Sequence, residues 1–179
     1  NSLLIGRYNR SPYYYFDGLL DEVRVSNTAR SAAWIETSYH SGNGSLLTFG
    51  SEEDGSGSEE EEESVDWWNS NWDYRKKLTI DHDKVDSDLS NFPLTVFLDS
   101  SNFDFDKAKT NGEDIRFTNT GTSQSEYKYE IERWEKTSEK AEVWVNITSV
   151  SSTVDTEFYM YYGNSAASDG QDAENVWDS

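Results

Sequence analysis

Between residues 75 and 163 apolar side chains recur at every second position in six short runs. They are Arg75–Asp81 (Leu78 and Ile80), Pro93–Asp99 (Leu94, Val96, Leu98), Asp114–Asn119, Tyr127–Trp134, Lys140–Thr148 (Ala141, Val143, Val145, Ile147) and Thr156–Gly163 (Phe158, Met160, Tyr162). A period of two with one apolar face is the pattern of a half-buried strand. Six such strands separated by turn residues, with no long helix between them, predict two antiparallel sheets packed over one core. Residues 1–50 carry shorter signals: strands at Leu3–Arg7, Tyr13–Phe16 and Leu19–Ser26, the last with Val23 and Val25 alternating with Glu22 and Arg24. A helix capped by Ser31 follows to about Tyr39, and a strand resumes at Leu46–Phe49. The expected fold is all-β: a jelly-roll-like antiparallel β-sandwich, a partial second β-sandwich, and one short helix.

Between these halves lies Ser51–Ser58 followed by Glu59 to Glu63, a tract with no large apolar side chain to offset its ordering entropy. It reads as a flexible acidic linker. The expected organisation is a partial sandwich over 1–50, the linker over 51–66, a complete sandwich over 67–165, and a connection to a following module over 166–179. Of the net charge of −20, nine negative charges fall within 52–66, which leaves the rest still acidic at about −11. Such a surface repels phosphate backbones and anionic membranes, so nucleic acid is excluded as a partner. No stretch approaches the roughly 18 apolar residues that span a bilayer, which excludes membrane insertion by a helix. The chain has no cysteine, so disulfides, thiolate metal sites and thiol nucleophiles are all excluded. Its 15% aromatic content suits thin sandwiches in which Trp and Tyr supply burial from short strands.

Two resemblances sharpen this reading. Ile5-Gly6-Arg7, then Tyr15 through Val25 (YFDGLLDEVRV) and a Ser-initiated helix, resemble the C-terminal part of a laminin-G-like, concanavalin-A-type module. Trp72 through Ile80 (WDYRKKLTI), Asn111 through Phe117 (NGEDIRF), Tyr129 through Trp134 (YEIERW), Ala141 through Val145 (AEVWV) and Phe158 through Asn164 (FYMYYGN) resemble a domain of unknown function. That family is found beside laminin-G-like modules in archaeal and bacterial surface proteins. The resemblance implies an extracellular, cell-surface location and modular company, and no activity.

Candidate chemistry is sparse. His40 and His82 lie on different segments with no nucleophile motif near either, so no catalytic residue is assigned and no enzyme is expected. Carboxylates pair often, as in Asp81/Asp83, Asp86/Asp88 and Glu113/Asp114. Asp104, Asp106 and Asp114 flank a glycine-containing loop stretch and are the candidate set for calcium, which takes six to eight oxygens. No other cofactor is expected. Trp67, Trp68, Trp72 and Trp144 are candidate sugar-stacking platforms, against the plainer reading that they pack in the fold. The sequons at Asn9, Asn43 and Asn146 are candidate glycan acceptors, with Asn146 opposite the apolar face of its strand and toward solvent.

The function expected is that of a non-enzymatic structural module of an exported cell-surface or filament-forming protein. It assembles through β-strand contacts with copies of itself or with adjacent modules, because a half sandwich needs outside strands to close it. The alternative is a carbohydrate-binding or adhesion module whose partners are glycans.

Overall fold

The computed structural model describes residues 5–6, 14–20, 23–55 and 67–177. The chain divides into two units, Asn1–Ala29 with Ser179, and Arg30–Asp178. In the first unit Tyr15 alone among the described residues has a sheet-type bridge, and Phe16 N–H donates to Gly6 C=O at 2.9 Å. The strand expected at 19–26 is absent from its described residues, and Leu19 is 98% exposed. The strand expected at Leu3–Arg7 lies largely outside the described residues.

The second unit is all-β apart from one helix and short 3-10 turns. Helix α1 (Ala32–Gly42) starts where Ser31 Oγ accepts the Trp34 N–H at 3.1 Å, satisfying one of the donors every helix start leaves orphaned. Seven strands follow: β1 (Leu47–Asp54), β2 (Tyr74–Ile80), β3 (Leu89–Asp99), β4 (Arg116–Asn119), β5 (Tyr129–Glu135), β6 (Lys140–Val150) and β7 (Thr156–Tyr162). They form two antiparallel sheets of order β1-β2-β7-β4 and β3-β6-β5. The core between them collects the apolar positions of every strand, including Leu78, Ile80, Leu94, Val96, Val143, Val145, Phe158 and Met160, all fully buried.

The organisation differs from the expected one at residue 50. Ala33 and Leu46 belong to the main core, Leu47 and Phe49 pack on it, and β1 pairs with β2 from Leu47↔Ile80 to Asp54↔Tyr74. Residues 30–55 are therefore part of this sandwich and supply the first strand of one of its sheets. Ser51–Asp54, expected as linker, is strand, and residues 56–66 of that tract lie outside the described residues. Composition hid this, since the partners that order those acids come from far along the chain. Glu52 takes Lys107 and the Tyr162 hydroxyl, and Glu53 takes Arg75 at 2.6 Å. Burial alone would raise the Glu52 pKa, but the bonds from Lys107 and Tyr162 outweigh it and hold the carboxyl below its ordinary value.

Two local irregularities set which side chains face the core. In β5, Ile131 pairs with Val143 and Arg133 with Glu142, so Glu132 is an extra residue. The bulge moves Trp134 onto the face of its partner Ala141, where it meets Phe103 at 5.8 Å and Phe105 at 5.2 Å between ring centroids. Gly112, at φ +73°, approaches that same ring so closely that a Cβ would lie 2.6 Å from it. Pro93 sits on β3 without cost, because β3 is a margin strand and its position has the parity of the outward-pointing residues.

Candidate functional site

The tryptophans expected to form a platform separate into two groups. Trp67, Trp68 and Trp72 lie on the outer face of the four-stranded sheet and build a second, smaller core with Tyr159, Tyr161 and Ala167. Trp72 is buried and its Nε1 donates to Asp114 C=O at 2.6 Å. Trp67 Nε1 donates to Trp72 C=O at 2.9 Å, and Trp68 lies 4.9 Å from Trp72 between centroids.

The pivot of this layer is Arg75, which is buried. Its guanidinium lies 4.6 Å from the Trp67 ring and 4.2 Å from the Tyr159 ring, donates to the Tyr161 hydroxyl at 3.1 Å and pairs with Glu53. A buried cation needs such partners, and here two ring faces and a carboxylate supply them. Beside Trp67 a cleft of about 380 Å³ is lined by Asp54, Gly55, Trp67, Ser70, Trp72, Asp73 and Tyr74. Trp144 is elsewhere, on the outer face of the three-stranded sheet. It is buried against Trp177 at 4.9 Å, with its Nε1 bonded to Glu132. Because these rings engage one another and Arg75, packing accounts for most of their surface.

The calcium set does not assemble. Asp114 is buried and spent on backbone amides: Oδ1 accepts from Lys109 at 2.9 Å, and Oδ2 from Gly163 at 2.9 Å and Asn164 at 3.2 Å. Asp104 Oδ1 caps the Asp106 N–H at 3.0 Å, and Asp106 points to solvent. Among the described residues the one group of three ligand-type side chains within mutual reach is Asp81, His82 and Asp155.

Asn146 also departs from expectation. Strand alternation does turn it away from the core, but the C-terminal segment covers it, and its Nδ2 donates to Asn175 C=O at 3.1 Å and Val176 C=O at 3.2 Å. The nitrogen that a glycan would occupy is thus already used. Asn43 is exposed at the end of α1, and Asn9 lies outside the described residues.

A feature not foreseen from sequence is the unequal treatment of the four sheet margins. Beyond β4, Tyr127 N–H donates to Phe117 C=O at 2.8 Å and Asn119 N–H to Ser125 C=O at 3.1 Å. Beyond β5, Ile131 N–H finds Gln171 Oε1 at 2.6 Å and Asp172 N–H finds Tyr129 C=O at 2.9 Å. Beyond β3, Thr95 N–H donates to Ser41 Oγ at 2.8 Å and Phe97 C=O accepts from Asn102 at 3.1 Å. The β1 margin differs. Asp81 N–H donates to Leu46 C=O at 3.1 Å, which makes 46/81 a hydrogen-bonded pair, so the backbone groups of Leu47 and Phe49 point away from β2. Among the described residues of the sandwich unit, none bonds to them. A groove of about 200 Å³ runs beside them, lined by Leu46, Leu47, Phe49, Phe97 and Thr95, and the Thr95 hydroxyl is buried without a hydrogen-bond partner.

A family model described as a domain of unknown function, DUF2341, matches residues 111–179. The chain is similar to that family over β4 to β7 and the C-terminal segment, a shorter span than the expected resemblance, whose motifs run from Trp72 to Asn164. No curated protein matches the chain, and no solved structure does. The laminin-G-like resemblance of residues 1–50 gains no support from this match, and Ala32–Asp54 folds as part of the sandwich instead.

Proposed function

We propose that the chain is a non-enzymatic structural module of an exported cell-surface or filament-forming protein, and that it assembles by strand addition at the β1 margin. The observation that carries this reading is the pair of outward-facing backbone positions, Leu47 and Phe49, in a unit whose other three margins are bonded by its own chain. An unpaired margin is a template for another strand, and main-chain bonds supply affinity without a specialised pocket. The acidic surface suits an exported, soluble particle. The origin of the need differs from the one the sequence suggested: outward backbone groups at Leu47 and Phe49 that no described residue of the sandwich unit takes up, rather than half of a missing sandwich.

Sedimentation of the protein over a concentration series, together with amide hydrogen exchange, tests this. Association should be concentration-dependent and should slow exchange at Leu47 and Phe49. A species that stays monomeric at millimolar concentration, with those amides exchanging freely, overturns the reading. A second reading, a carbohydrate-binding or adhesion module, draws on the cleft beside Trp67, with Asp54 and Asp73 as hydroxyl acceptors. Glycan-array binding that Trp67→Ala abolishes would favour it over strand addition.

A further inference from the structure

β2 and β7 end their ladder at Ile80↔Thr156, so the next residues outward, Asp81 and Asp155, face each other across the strand ends. Two carboxylates directly opposite repel one another, a cost that positive charge beside them offsets. His82 stands there. Its Nδ1 lies 2.6 Å from Asp155 Oδ1, which also accepts the His82 backbone N–H at 3.1 Å. One ligand atom each from Asp81, His82 and Asp155 falls within 4.8 Å of the others. Asp83 adds a third carboxylate, 3.5 Å from His82 Nε2, and the nearby fixed cation is Lys84, 3.0 Å from Asp81. Three carboxylates against one ammonium and one imidazole leave a deficit that a divalent cation would close.

We propose that Asp81, His82 and Asp155 form a surface binding site for a divalent first-row transition ion of the zinc type. The imidazole nitrogen selects this class over calcium and magnesium, which take oxygen donors. The ion replaces the proton shared between Nδ1 and Oδ1 and releases it to solvent. Opening that separation to roughly 3.4 Å lets both atoms bind a tetrahedral ion at ~2.1 Å. The half-exposed Lys84–Asp81 pair yields at little cost, since surface ion pairs contribute about 1 kcal/mol or less. Three protein donors leave the remaining coordination positions to water or to a neighbouring molecule.

Calorimetric titration of the intact chain with zinc chloride at fixed pH tests the site. One saturable event is expected, weakened at least about tenfold in His82→Ala and in Asp155→Asn, and unchanged in His40→Ala. Circular dichroism should show all three variants folded, because these side chains lie at the surface. In amide NMR spectra, zinc should shift residues 80–84 and 153–157 and few others. Affinity in His82→Ala within about twofold of the parent overturns the proposal. Shifts spread over the acidic residues generally, or magnesium chloride competing as well as zinc, overturn it too.

Discussion

Leu46→Ala separates the observed organisation from one in which an acidic spacer divides two modules at residue 50. Leu46 is 1% exposed and sits in the same core as Leu78, Ile80 and Phe92. Truncating a leucine in such a site removes its transfer free energy and leaves a cavity that neighbours fill only partly, a cost of about 3 kcal/mol. The cavity would lie under β1, beside Leu47 and Phe49, where an edge strand can relax inward, so the lower half of the usual range of about 2.7–5 kcal/mol applies. With a urea slope of about 2 kcal/mol/M, the midpoint should fall by about 1–2 M. Trp34 on α1, Trp72 outside one sheet and Trp144 outside the other report on three regions, so fluorescence should follow one coincident transition that shifts as a whole. A loss below about 1 kcal/mol would refute the placement of Leu46 in the shared core. Two transitions, only one of them displaced, would refute the single cooperative unit.

Gly112→Ala should destabilise by roughly 2–4 kcal/mol, measured by the same denaturation, because the new methyl meets the Trp134 ring and the backbone is left-handed there. Asp114→Ala should cost about 3 kcal/mol by leaving the amides of Lys109, Gly163 and Asn164 unsatisfied, while calcium titration stays the same as in the parent. Glu52 has a folded pKa below its unfolded value near 4.5, so its contribution is present above that pH and is lost as pH falls through the folded value. The melting-temperature advantage of the parent over Glu52→Gln should therefore shrink as the pH falls below about 4.5, and a constant difference would contradict the assignment. If the protein is exported through a glycosylating route, peptide mapping should find Asn43 modified and Asn146 unmodified, given the two carbonyls that hold the Asn146 amide.

Strands β2, β3, β6 and β7 were legible because the main core takes every second side chain of each, Leu78 and Ile80, Leu94 and Val96, Val143 and Val145, Phe158 and Met160, which writes a period of two directly into the sequence. The cap at Ser31 was legible for a similarly local reason, since one hydroxyl and one amide three residues on suffice. What local pattern could not show was pairing at a distance. β1 was split from its sheet because Glu52 and Glu53 read as spacer until Lys107, Tyr162 and Arg75 are placed beside them. The Glu132 bulge left the facing of Trp134 undetermined, because a single extra residue reverses the parity of everything after it. Asp114 read as a cation ligand since a buried carboxylate bonded to three amides and one bonded to calcium share the same sequence surroundings. The cluster at Asp81, His82 and Asp155 joins two strand ends far apart in the chain, and no spacing rule announces it.

The order of strands within the sheets also bears on how such a chain is made. Leu78 waits for Phe158, and Leu94 for Val145, before either sheet has its central neighbour. A ribosome adding about 5–20 residues per second leaves the early hairpin of β1 and β2 uncovered for several seconds. During that interval Ile80, Leu78 and Phe49 have no opposing layer, and a chaperone or a secretion channel that holds the chain extended would spare it from premature association.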